Sequence, residues 1–296
     1  MLLLNNAELR RALPMSEAID AMREAFGDDR DTPPRTKLAG SLFMPGRVGA
    51  HTGIKVVSVV PGSPAGIVVV FGPDGAALGA VDGPTLTAIR TAAGAGLATR
   101  FLARPDARVM AMLGAGSMAA DQIAAVREVR KIERVLVWSR QFENAARLAA
   151  AVGATPVADA NEAVATADIV SCATPSRVAL FSNEMVRAGT HINAVGAFTP
   201  SMVEVPAETI RRAYIVVDDI TAAATEAGDL IQADRPAVAT LGDLLAGRNP
   251  PIGEDVTVFK SVGIASQDVA AAVRALQQAR RLGLGLDVSL AAAPTR

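Results

Sequence analysis

The sequence predicts two α/β domains: a doubly wound parallel sheet over residues 105–267, and an α+β domain over residues 1–104 that a C-terminal helix at 268–296 rejoins. Three observations carry this. The chain has 296 residues, more than one compact core usually organises. Residues 37–81 read as short β-rich runs broken by turns, the mark of an antiparallel meander. From residue 109 onward strands alternate with helices, the rhythm of a parallel sheet covered on both faces.

Taken in order, Leu9 to Phe26 reads as one helix, with Leu13, Ile19, Met22 and Phe26 on or near one face and Ser16 as a cap for its second part. Asp28 to Arg35 is polar and ends in Pro33-Pro34-Arg35, which favours extended backbone. The apolar runs of the meander are Ile54–Val60, Ile67–Phe71 and Ala77–Val81, with turns at Pro61-Gly62 and Pro73-Asp74-Gly75. Pro84 to Leu102 follows as an alanine-rich helix. Beyond Pro105 come strand Val109–Leu113, helix Met118–Val129, strand Val135–Trp138 and helix Glu143–Val152. Further strands are expected at Ile169–Ala173, His191–Val195 and Ile215–Val217. Asp268 to Leu282 is helical, and Ala291 to Arg296 reads as a frayed tail.

Composition excludes several classes of partner. A formal net charge of -1 gives no reason to expect a nucleic acid or an anionic membrane. Aromatics make up 3% of the chain, too few for base-stacking platforms. Met1 to Asn6 turns polar after three leucines, short of a secretory apolar core, and one cysteine forms no internal disulfide, so a cytoplasmic setting is expected. No metal site is expected, because His51 and His191 have no ligating neighbours at zinc spacing.

The strongest local motif is Gly114-Ala115-Gly116-Ser117-Met118-Ala119, with an apolar strand before it and a helix after it. This is the context a dinucleotide fingerprint requires, and it makes the sheet a Rossmann-type one. Gly114 permits the tight turn, Gly116 lets backbone approach a pyrophosphate, and the amides around Ser117 and Met118 open the helix toward phosphate. The next strand ends at Ser139-Arg140, where an acidic residue would bond the ribose 2′-hydroxyl of NAD. Hydroxyl and guanidinium suit a 2′-phosphate instead, so NADPH is favoured over NADH.

Six segments stand in a characteristic order: Pro33-Pro34-Arg35; Gly53-Ile54-Lys55; Asp82-Gly83 with Leu86 through Ile89-Arg90-Thr91; Gly114-Ala115-Gly116; Asn193-Ala194-Val195-Gly196; and Phe259-Lys260-Ser261-Val262-Gly263. Together they resemble the ornithine cyclodeaminase/μ-crystallin family from about residue 5 to residue 285. The resemblance implies a homodimer, and a substrate carboxylate clamped by Arg35, Lys55 and Arg90. It adds Thr91, Asn193, Val195, Lys260 and Gly263 to the cofactor-binding residues, with Lys260 to Gly263 closing over the nicotinamide. A planar guanidinium fork and a compact ammonium suit a carboxylate. The reaction implied is hydride transfer at the Cα of an amino acid or its imine, with Lys55 as the catalytic residue that polarises the imine or relays a proton.

One departure narrows the choice. Where ornithine cyclodeaminases carry an aspartate that engages the side-chain amine, this chain has Phe198, a substrate-lining phenyl ring that accepts no proton. Reduction of a preformed imine, or amino-acid dehydrogenation, is favoured. Ornithine cyclodeamination is the alternative, and a nucleotide-dependent small-molecule binder is the alternative of another class. Six other residues read as structural: His191 and Cys172 as core, Asp82 and Asp268 as helix-start acids, and Asp218-Asp219 as a cap.

Overall fold

A computed structural model describes residues 1–60, 65–249 and 256–289, and it divides into two units, Met1–Arg90 with Ile264–Arg296, and Thr91–Gly263. The turn expected at Pro61-Gly62 and the tail at Ala291–Arg296 lie outside the described residues. The division falls within a helix rather than at the expected 104/105 break. Packing sets it, because one continuous helix leaves its first turns with the meander and gives the rest to the parallel sheet. The second division, at 263/264, precedes the C-terminal helix, which begins three residues before the expected 268.

The first unit is a mixed sheet with helices on one face. Its elements are β1 (Leu2–Leu4), α1 (Asn6–Ala12), α2 (Met15–Ala25), β2 (Arg30–Asp31), β3 (Thr36–Leu38), β4 (Ser41–Val48), β5 (His51–Ser58), β6 (Gly66–Phe71) and β7 (Ala77–Asp82). Helix α3 (Gly83–Leu102) leaves it, and α11 (Ala265–Leu282) with β16 (Leu286–Asp287) returns. The strand order is β16-β1-β7-β6-β5-β4-β2, with β4 to β7 antiparallel as expected and β1 parallel to β7. The single helix expected over Leu9–Phe26 is two helices, because Pro14 cannot continue the first. The caps differ as well: Asn5 forms a capping box with Glu8, while Ser16 caps nothing and Pro14 sits at the N-cap of α2.

Helix α11 is buried along most of its length because it lies between the sheet and helices α1 and α2. Small residues make this possible. A Cβ at Gly46 of β4 would stand 2.8 Å from the Ala265 Cβ, and one at Gly79 of β7 would stand 2.6 Å from Leu276. The first turn of this helix therefore lies against β4, which is what brings Gln267 and Asp268 to the cations described below.

The second unit is an eight-stranded parallel sheet in the order β10-β9-β8-β11-β12-β15-β13-β14. Its strands are β8 (Val109–Leu113), β9 (Arg134–Trp138), β10 (Thr155–Pro156), β11 (Ile169–Cys172), β12 (His191–Ala194), β13 (Tyr214–Val217), β14 (Ala239–Thr240) and β15 (Thr257–Lys260). The helices are α4 (Ala119–Val129), α5 (Phe142–Val152), α6 (Ala160–Thr166), α7 (Ala207–Arg212), α8 (Ile220–Glu226), α9 (Gly228–Ala233) and α10 (Leu241–Leu245). Strand side chains alternate between faces. Met110 and Met112 enter one apolar cluster with Ile123 and Val126 of α4, and Ala111 and Leu113 enter the other with Val170 and Ile192. No described helix is long and apolar enough to cross a membrane.

His191 and Cys172 are core residues of this unit, both fully buried. His191 Nδ1 lies 2.9 Å from Thr257 Oγ1 and Nε2 lies 3.2 Å from Asn193 Oδ1, so the neutral ring is satisfied without a charge. Burial lowers its pKa to about 3, with the nearby Arg130 charge adding to the effect. The sign follows from linkage. Between about pH 6.5 and about pH 3 the unfolded imidazole takes a proton that the folded one refuses. Stability present above pH 6.5 is therefore lost toward pH 3, at up to about 1.4 kcal/mol per pH unit. Urea titrations across this range are expected to show that loss, and His191→Asn to flatten it; an equal slope in the variant would assign the acid sensitivity to other groups.

Candidate active site

In the second unit, loops at the C-terminal ends of β8, β9 and β11 enclose a cleft of about 510 Å³. Its walls are Gly114 to Gly116, Trp138 to Arg140, Asn144 and the segment from Ala173 to Ser176 with Val178 to Leu180. The strand order turns from β9 to β11 on either side of β8, which makes this the topological switch point where ligands of open α/β sheets bind.

The residues fit a dinucleotide. Gly114 has φ +114°, and a Cβ there would meet the Ala173 carbonyl at 2.8 Å, so glycine is required. A Cβ at Gly116 meets nothing within 4 Å, leaving open space over the backbone where a pyrophosphate would come closest. Gly116 and Ser117 are exposed, Met118 stands at the N-cap of α4, and Ala119 begins the helix. Ser139 and Arg140 line the cleft one strand away, Arg140 exposed.

Seven residues expected at the cofactor are not among those lining this cleft: Ser117 and Met118 beside it, and Thr91, Asn193, Val195, Lys260 and Gly263. Thr91 is buried near the start of the unit. Asn193 is fully buried, its amide donating to Thr99 Oγ1 at 2.9 Å and Ser171 Oγ at 3.4 Å while its carbonyl faces His191. Its strand end is a ligand-binding place in such sheets, but its side chain points into the sheet's own packing. The Val195 amide continues the ladder to the Cys172 carbonyl.

Lys260 is held in a buried network of its own. Its ammonium is fully buried, 2.8 Å from Asp229 Oδ2, and donates to the Ala197 carbonyl. Asp229 Oδ1 in turn accepts from the Glu204 and Val205 amides. Glu204 accepts from Thr174 N and Oγ1 and from the amides of Gly196 and Ala197. Burial pushes the Glu204 carboxyl above its usual range, and the Lys260 charge opposes that. The network ties together the ends of β11, β12 and β15, including the Thr174 wall of the cleft. Nothing in the local sequence marks Glu204 or Asp229 as its members. Asp218, expected as a cap alongside Asp219, instead accepts from Ser261 Oγ and the amides of Val262 and Gly263, while Asp219 does cap α8.

In the first unit a separate cluster gathers the expected carboxylate clamp. Lys55 of β5 and Arg90 of α3 are both buried, and both pair with Asp268 of α11: Nζ to Oδ2 at 2.7 Å, and Nε to Oδ1 at 3.1 Å. Arg90 Nη1 also donates to Gln267 Oε1 at 2.9 Å, and that oxygen accepts from the Ile264 amide. Arg35 is half-buried and close enough for its charge to act on Lys55. Burial lowers the Lys55 pKa to about 8; Asp268 raises it, and Arg90 and Arg35 lower it. Two cations share one carboxylate, so this trio of described residues carries a surplus positive charge. Asp268 is thus more than a helix-start acid. Phe198 is half exposed on the loop after β12 of the second unit.

A cleft that fits a dinucleotide on one unit and a buried cationic cluster on the other suit a nicotinamide-dependent oxidoreductase. The model of the ornithine cyclodeaminase/mu-crystallin family matches residues 2–281, and the chain belongs to that family. The Delta(1)-pyrroline-2-carboxylate reductase of Bacillus cereus is 35% identical over 96% of this chain and 98% of its own length. Among solved structures, the Delta(1)-pyrroline-2-carboxylate reductase of Thermococcus litoralis in complex with NADH and L-proline matches 97% of this chain and 100% of its own. It does so with a TM-score of 0.89 at 31% identity. An archaeal alanine dehydrogenase, described as a dimer with bound NAD, matches 98% of this chain and 99% of its own with a TM-score of 0.90 at 28% identity. The chain is accordingly an NAD(P)-dependent enzyme of the imine reductase and amino-acid dehydrogenase type.

Proposed function

We propose that the enzyme reduces a 2-carboxy ketimine, a cyclic one such as pyrroline-2-carboxylate or the imine of a small 2-oxo acid, to the amino acid. The observation that carries this is the Lys55–Asp268–Arg90 cluster with its surplus positive charge. Arg90 and Arg35 bind the substrate carboxylate, and Lys55, its pKa lowered by burial to about 8, polarises the imine or supplies its proton. The nicotinamide supplies the hydride. Phe198 stands where ornithine cyclodeaminases carry an aspartate and offers no base for the amine of a diamino acid, which favours reduction over cyclodeamination. The relative bound to L-proline supports a cyclic amino-acid product.

Ser139 and Arg140 give the reading its cofactor preference, NADPH over NADH, although the two solved relatives named above carry NADH and NAD. Arg140→Ala is expected to raise KM for NADPH about tenfold while KM for NADH stays within twofold. Equal KM values for the two cofactors in the parent would refute the preference. A homodimer through the strand-rich unit, in a cytoplasmic setting, completes the reading. The exposed Leu38, Val60 and Ile67 of that unit and the dimeric archaeal relative support the pairing.

The test follows NADPH absorbance with pyrroline-2-carboxylate, piperideine-2-carboxylate, and pyruvate with ammonia. A parallel assay takes L-ornithine with catalytic NAD and measures ammonia. Consumption with an imine establishes the reductase; ammonia from ornithine without net cofactor turnover replaces it with the cyclodeaminase.

A further inference from the structure

Two side chains in the first turn of α11 hold the cationic cluster in place. Asp268 is 1% exposed and meets Lys55 and Arg90 with different oxygens, while the preceding residue, Gln267, grips the far side of the Arg90 guanidinium. Gln267 Oε1 also accepts from the Ile264 amide, so the helix start and the clamp are fixed by one side chain. The second amide atom of Gln267 is buried without a partner. The Ala265 amide is tied to Thr32 Oγ1, three residues before Arg35. The start of this helix thus touches or approaches all three segments that supply the cations.

We propose that Asp268, seconded by Gln267, is a positioning residue for the reaction: it brackets Lys55 and Arg90 at a fixed spacing and keeps Lys55 in its ammonium form. This rests on the reading that Lys55 acts on the imine. The physical reason is that a buried ammonium loses its hydration and gives up its proton readily unless an opposite charge stands beside it. The charged groups facing Lys55 are Asp268, which favours the proton, and Arg90 and Arg35, which oppose it. Asp268 also lets two like charges lie close enough together to meet one substrate carboxylate.

The experiment is the pH profile of kcat/KM for the parent, Asp268→Asn and Lys55→Met, with the imine substrate and saturating cofactor. The parent is expected to lose activity as pH rises through about 8. In Asp268→Asn that limb should move to lower pH by about one unit or more, with kcat/KM at pH 8 reduced at least about fivefold. A limb set by the imine's own protonation would be the same in every variant, and a merely structural role would lower activity without moving the limb. If the limb stays in place in Asp268→Asn but vanishes in Lys55→Met, the bracket is overturned and the Lys55 reading stands. If Lys55→Met keeps both turnover and limb, the Lys55 reading fails and takes the bracket with it. Should Asp268→Asn not fold, Gln267→Glu serves. It keeps the helix cap and adds a carboxylate at the same guanidinium, so the limb is expected to rise; an unmoved limb would count against the proposal.

Discussion

Lys55→Met is expected to lower kcat at pH 7 by about a hundredfold or more, the usual worth of a positioned acid or base, with KM for the imine raised no more than about tenfold. The split follows from geometry. Methionine keeps most of the lysine stem's volume in a position that is 3% exposed, and Arg90 stays paired with Asp268. Carboxylate binding therefore retains Arg90 and Arg35, whereas the proton or polarising charge at the imine is gone. A loss confined to KM would make Lys55 a third anchor and nothing more. Stability is expected to change little, because removing a desolvated ammonium relieves its burial cost while Asp268 keeps one cation. Affinity for the cofactor, measured by fluorescence titration, should match the parent, since Lys55 is not among the residues lining the cleft. Turnover within threefold of the parent would remove Lys55 from the mechanism.

The sequence made the cofactor cleft legible because the turn after β8 is specified locally. Gly114 and Gly116 are needed by backbone geometry, and a strand and a helix flank them in a readable pattern. The parallel sheet was legible for the same reason, its buried strands being short apolar runs. Residues whose role depends on distant partners were not. Asp268 looks like any acid in a helix's first turn until α11 is laid on β4, which places it against β5 and α3. Asn193 and Lys260 are the opposite case. Both stand at or near strand ends, where such sheets bind ligands, and both turn inward because buried polar groups, Ser171 and Thr99 for one and Asp229 for the other, need their donors. Short helices such as α7 to α10 escaped because five to seven residues carry too little periodicity to separate helix from loop.

That inward turn of Lys260 gives a prediction of opposite kind. Lys260→Met is expected to destabilise the folded enzyme by about 3–5 kcal/mol in urea unfolding, the cost of leaving one member of a buried ion pair alone. The ammonium is the cation nearest to Asp229 and acts on Glu204 as well, and without it two carboxylates share a dry site. Removing that charge pushes the Glu204 carboxyl still higher. A folded-state pKa above the unfolded value means that stability is retained below the unfolded pKa and lost as pH rises through the folded one. The deficit should therefore shrink on acidification. Asp229→Asn in the Lys260→Met background should recover part of the loss, and the double-mutant cycle measures the pair. A cofactor contact would behave otherwise, weakening dinucleotide binding with the unfolding midpoint unmoved. That outcome would return Lys260 to the cleft and leave the Glu204 network without its cation.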